Sequence, residues 1–182
     1  MITGLLLATT PENARARAAI RDRALVIARA LGAGVERRVA VVAGPDGLAA
    51  ALRQEGYEVV CCPQPKAGLP HGVRVTAGAS GWLVAPIDAP PFAAAVACAI
   101  AARLRAGALL AAPDCEPAPP YPLGFGRALA PPVATLKDSS RLDTLLDAYR
   151  DLVVRIPCPE GYGATQATNN APARMPDTTP RC

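Results

Sequence analysis

Asp88 is the residue best placed to do chemistry. It ends the apolar run Trp82-Leu83-Val84-Ala85-Pro86-Ile87, and Pro90, Pro91 and an alanine-rich helical pattern follow it. In an open α/β sheet, ligands bind outside the carboxyl end of a strand, where a loop opens into a helix. A carboxylate at that point can hold Mg²⁺, and the ion can hold phosphates. The same carboxylate could instead cap the following helix around residues 90–92.

Other residues carry weaker signals. His71 is the only histidine; it reads as a polar loop residue or as a base. Gly124 and Gly126 permit close backbone approach or positive φ. They read as turn glycines, because no helix start clearly follows to make a phosphate loop. Lys66 and Arg74 flank the cleft and could meet an anion, or stand as solvated charges. The six cysteines are Cys61, Cys62, Cys98, Cys115, Cys158 and Cys182. They lack CxxC spacing, which with one histidine argues against structural zinc. Reduced thiols in a cytoplasmic protein are the expectation. Cys61 and Cys62 end a strand pattern, so one should face the core and the other a helix or solvent.

The elements that must position these residues can be read in order. Residues 2–8 are apolar throughout, the pattern of a parallel strand buried on both faces. Thr10-Pro11-Glu12 suits a helix start. That helix is expected to run to about residue 30, with Ala19, Val26, Ile27 and Ala30 inward and Arg15, Arg17, Arg21, Arg23 and Arg29 on a solvated face. Strands are expected over 38–43 and 58–62, with a helix over 47–54 between them, capped by Asp46. This β-α-β-α-β order implies right-handed crossovers and a parallel sheet.

Residues 63–72 read as a loop, and 72–77 as either a short helix or an irregular turn. A strand over 82–87, a helix over 92–104 and a strand over 108–112 come next. The proline-rich stretch 115–122 excludes regular structure. Ser139 and Ser140 open a helix in which Leu142, Leu145, Leu146 and Tyr149 share one face. A last strand covers 152–156. One domain is expected over 1–157, then a polar, proline-rich tail over 158–182.

Composition bounds the function. The chain has 182 residues and a formal net charge of +4, with aromatics at only 4%. It lacks aromatics beside its arginines for base stacking, so a nucleic-acid partner is not expected. The apolar run 93–112 carries Arg103 and Arg105 and is broken by Gly107, which argues against a membrane span. The short apolar start has no basic region before it, so no signal peptide is expected.

The order of segments resembles one family across roughly residues 1–172. An ITGLLLA strand leads to GAGVERRVAVVAGPDGLAAALRQEGYEVVCCP, then HGVR, GWLVAPIDAPPF, GALLAAP, YPLGFGR and LVVRIPC. These resemble the MobA-like nucleotidyltransferases of molybdenum-cofactor synthesis. The resemblance implies an α/β, three-layer Rossmann-like fold with a mostly parallel sheet in a single domain. It also implies transfer of NMP from an NTP to a molybdopterin-type phosphate acceptor, with Mg²⁺. Asp88-Ala89-Pro90 keeps the family's D-x-P pattern, which makes Asp88 the metal carboxylate. Leu7, Ala8 and His71 fall at nucleotide-binding positions. Tyr121, Gly124 and Gly126 fall on the acceptor side, with Tyr121 where a histidine is usual.

Two departures accompany the resemblance. Leu7-Ala8-Thr9-Thr10-Pro11-Glu12 replaces the family's glycine-rich, basic phosphate loop and is shorter. The family's second metal carboxylate has no counterpart, since no Asp or Glu occurs between Gly161 and Met175. A family member so altered could be a transferase with a degenerate site. It could also be a non-catalytic relative that binds a small molecule or a protein partner in the acceptor cleft.

Overall fold

The computed structural model describes residues 1–9, 17–115, 121–138 and 142–158. Seven strands form one sheet: β1 (Ile2–Ala8), β2 (Arg37–Val42), β3 (Glu58–Cys61), β4 (Gly81–Pro86), β5 (Leu110–Asp114), β6 (Leu123–Gly126) and β7 (Val153–Pro157), in the order β3-β2-β1-β4-β6-β5-β7. β6 runs antiparallel to both its neighbours, and the other pairings are parallel. The helices are α1 (Arg17–Gly32), α2 (Gly47–Gln54), α3 (Gly68–Val75), α4 (Ala94–Arg105), α5 (Ala130–Ala134) and α6 (Leu142–Ala148).

Successive residues of a strand point to opposite faces, and here both faces are apolar. Leu6, Ala40, Leu83 and Ala85 pack with Ala24, Ile27 and Leu31 of α1 and Ile100 of α4. Leu5, Val39, Trp82 and Val84 pack on the other side with Leu69 and Val73 of α3 and Val133 of α5. The result is three layers, helix–sheet–helix, as expected of an α/β domain. Trp82 stacks on Phe125 with ring centroids 5.3 Å apart, and its indole N–H donates to the buried Thr76 hydroxyl at 2.7 Å. Asp46 caps α2 as expected, accepting from the Ala49 N–H at 2.9 Å. At the amino end of the sheet, Glu36 accepts from the Ile2 N–H and from Arg105. Burial raises the Glu36 pKa, but those hydrogen bonds outweigh it and hold the carboxyl below its ordinary range. Among the described residues no helix is long and apolar enough to cross a membrane.

Several local expectations change. The loop expected over 63–72 is a 3-10 turn, Pro65–Ala67, running straight into α3. Pro70 is tolerated there because the first-turn N–H groups of a helix have no partner within it. Val26 is 49% exposed rather than inward; the buried stripe of α1 is Ala24, Ile27, Ala28, Ala30 and Leu31. The pair of glycines expected in a turn lies in β6, and neither has positive φ. Gly124 is required by packing: a Cβ there would meet Ile100 Cγ2 at 2.4 Å and Leu104 Cδ1 at 3.0 Å. α5, which follows β6, was not anticipated. Cys61 is exposed and Cys62 buried, as the strand pattern implied. The helix starts read at Thr10 and Ser139/Ser140, and the tail from 159 onward, lie outside the described residues.

Gly124→Ala is expected to destabilise the fold by about 1–3 kcal/mol, the usual cost of overpacking. Gly44→Ala, where a Cβ meets nothing, should stay within about 0.5 kcal/mol of the parent. Urea unfolding midpoints of the two variants check this.

Candidate functional site

β2 and β3 lie on one side of β1 and β4 on the other, so the strand order reverses between β1 and β4. Such a reversal opens a crevice at the carboxyl ends of the two strands. Leu7 is paired with Pro86, and the Ile87 N–H donates to the Leu7 carbonyl at 3.0 Å. Leu7, Ala8 and Thr9 therefore leave the sheet beside Ile87 and Asp88. α3 starts at the same place. A Cβ on Gly68 would sit 2.8 Å from Thr9 Cγ2, so the glycine lets the helix begin in close contact with the end of β1. His71 is half-buried, one turn into α3.

Asp88 is exposed at the end of β4. It does not cap the next helix: the N-cap of α4 is Ala93, and no side chain bonds to that helix end. The capping role is thereby removed, and the carboxylate stands at the crevice. Its main chain is held from α1. Arg23 Nη2 donates to the Asp88 carbonyl at 2.8 Å and the Ala89 carbonyl at 2.9 Å, and Arg23 Nε reaches the Ala89 carbonyl at 3.3 Å. Arg23 is thus a half-buried clamp on the Asp88 turn rather than part of a solvated face. Its spacing carried the signal: it stands four residues before Ile27 and seven before Ala30, on the inner stripe of the helix. Arg29 behaves as expected of a surface residue, pairing with Glu55.

The acceptor-side residues are spread along β6. That strand pairs antiparallel with β4, Leu123 against Val84 and Gly126 against Gly81. Tyr121, two residues before Leu123, therefore stands at the Asp88 end, where it packs against both apolar layers. Gly124 is buried in mid-strand, and Gly126 lies at the opposite edge of the sheet, away from the crevice. Arg74 also lies elsewhere: its guanidinium donates to the Ala134 carbonyl at 2.7 Å and ties α3 to α5. The groove it lines with Val73, Arg127 and Pro131 is at the amino end of the sheet, where the Arg127 N–H meets the Ser80 carbonyl.

The crevice offers a hard oxygen donor, the Asp88 carboxylate. Among the described residues no three His, Cys, Asp or Glu side chains gather to form a protein-only metal cage. Mg²⁺ does not require one, since it is commonly held by one or two carboxylates with substrate phosphates and water. The sequence pattern and this geometry meet in one family: the model of the MobA-like NTP transferase domain matches residues 19–153. The chain belongs to that family.

Solved structures give the MobA-like fold independent support. Rv0371c from Mycobacterium tuberculosis H37Rv, crystallised with manganese, is similar at a TM-score of 0.64 and 22% identity, covering 86% of this chain and 87% of that one. A nucleotidyl transferase from Methanothermobacter matches at 0.59 and 18%, covering 88% of each chain. A CMP:2-keto-3-deoxy-manno-octonic acid synthetase complexed with CTP matches at 0.54 and 11%, covering 92% and 95%. No curated protein sequence matches the chain.

Removing the clamp should loosen the Asp88 turn. Arg23→Ala is expected to cost about 1.5–3 kcal/mol, the worth of hydrogen bonds from a charged donor. It should also speed hydrogen exchange at the Ile87 and Ala89 amides, which bond to Leu7 and Pro86. Unchanged exchange at both would show that Arg23 does not hold the turn.

Proposed function

We propose that this MobA-like domain transfers NMP from a metal–NTP complex to the phosphate of a molybdopterin-type acceptor, with Mg²⁺ as the metal and a weakened grip on the triphosphate. The observation that carries the reading is Asp88: an exposed carboxylate at the β1/β4 crevice, free of helix capping, on a turn whose main chain Arg23 holds. A divalent cation bound there supplies neutralisation of phosphate charge and a fixed orientation for the reacting groups. The manganese in the Rv0371c crystals and the CTP in the synthetase complex support metal and nucleotide as the class of ligand.

The residues divide the work. Asp88 is the metal ligand, and Arg23 fixes the turn that presents it. Leu7 and Ala8 form the floor on which the nucleotide rests, with His71 on its base side. Tyr121 stands at the acceptor flank, beside the carboxyl end of β4. Gly124 and Gly126 serve this flank indirectly, by letting β6 pack so that Tyr121 is brought beside β4. In the reaction an acceptor phosphate oxygen bonds to the α-phosphorus, and pyrophosphate leaves. Oriented positive charge is the main source of catalysis in phosphoryl chemistry. A chain with Leu7-Ala8-Thr9-Thr10-Pro11-Glu12 in place of a glycine-rich basic loop has less of it, so nucleotide affinity and turnover are low.

That same loop favours a second reading, a non-catalytic relative whose acceptor flank near Tyr121 binds a protein partner or a small molecule. Pyrophosphate release, measured with each NTP, Mg²⁺ or Mn²⁺ and a molybdopterin acceptor, separates the two. The transferase reading predicts slow release with one preferred base and a loss of at least about 100-fold in Asp88→Asn, on the scale of removing one key charge-stabilising group. No release with any NTP would leave the non-catalytic relative.

A further inference from the structure

The carboxyl edge of the sheet carries a second pair of reactive groups. β5 and β7 run parallel and in register from Leu110 against Val153 to Asp114 against Pro157. The next residue on each strand is a cysteine, Cys115 and Cys158. Neighbouring strands lie about 4.8 Å apart, within the Cα separation of about 4.4–6.8 Å that a disulfide spans. The Cys158 thiol donates only a long contact, 4.0 Å, to the Ile156 carbonyl of its own strand. Both cysteines are free and partly exposed, so a small oxidant reaches them without unfolding. The other described cysteines lack this arrangement: Cys61 and Cys98 are exposed on β3 and α4, and the buried Cys62 thiol donates to the Gln64 carbonyl.

We propose that Cys115 and Cys158 are a reversible dithiol–disulfide pair, closed across the β5–β7 edge by a low-molecular-weight disulfide such as oxidised glutathione. Burial first, then the contact with Cys158, push the Cys115 thiol up to about 12. Cys115 therefore holds its proton more tightly, and the first attack on the small disulfide is assigned to Cys158. It breaks the S–S bond of the small disulfide, forms a mixed disulfide and releases one glutathione thiolate. Cys115 then gives up its proton, attacks Cys158 Sγ and releases the second glutathione. Two protein thiols are oxidised, one glutathione disulfide is reduced to two thiols, and the two protons go to the released thiolates. The bond ties the start of the segment leading to Tyr121 to the end of β7, on the same sheet edge as Asp88. This inference stands whether or not the domain transfers NMP.

The test equilibrates the full-length protein with reduced and oxidised glutathione, quenches with acid and alkylating agent, and digests with trypsin without reduction. Tryptic peptides 106–127 and 156–174 each contain one cysteine. They are expected joined, two hydrogens lighter than the sum of the free peptides, and separated by dithiothreitol. In Cys115→Ser, Cys158 should instead accumulate as its glutathione adduct. Recovery of the two peptides singly from the wild-type protein, while exposed Cys61 is glutathionylated, would overturn the proposal. So would joining of either peptide to a different cysteine.

Discussion

The structure depends on β1 being hydrogen-bonded on both edges by parallel strands. Leu5, Leu6 and Ala8 are almost fully excluded from solvent. A strand apolar on both faces can be buried only if helices cover both sides of the sheet, because its backbone is paired and its side chains alternate. α1 and α4 therefore take one face and α3 and α5 the other. Once β2 pairs to one side of β1 and β4 to the other, the crevice between the carboxyl ends of β1 and β4 follows from connectivity.

What fills the crevice is set by local sterics and charge. Gly68 lets α3 begin against Thr9, and Gly124 lets β6 lie under α4, which carries Tyr121 to the Asp88 end. Arg23 adds a tie from α1 to the Asp88 turn, and that turn has only one main-chain bond to β1, from Ile87 to Leu7. The carboxylate itself is exposed and does not cap the next helix. A single carboxylate suits a hydrated divalent ion shared with phosphates better than a closed metal cage.

Much of this was legible in the sequence where the signal is a period. The apolar runs of β1, β2 and β4, the Asp46 cap and the order of strands and helices follow from spacing alone. So does Asp88 at a strand end. The segments that were misread are those where packing overrides local signals. Pro65, Pro70 and the glycines of 68–72 look like a loop, yet the prolines sit where a helix start tolerates them. Gly124 and Gly126 look like turn residues, yet they are strand residues that make room for Ile100 and for the Ala108 carbonyl. Arg23 reads with its neighbouring arginines because charge suggests solvent; its role depends on β4 ending beside α1, a contact between residues 65 apart in the chain.

The most direct measurement is thermal unfolding of the wild-type protein and Asp88→Asn with CTP, GTP and ATP, each with and without Mg²⁺ or Mn²⁺. A ligand at 100 times its Kd adds about 2.7 kcal/mol, a shift of roughly 5–11 °C for a chain of this size. A metal-dependent shift of that order with one nucleotide, absent in Asp88→Asn, is the predicted result. An equal shift in both proteins would contradict Asp88 as the metal ligand, and no shift with any nucleotide would contradict a nucleotide site at the β1/β4 crevice.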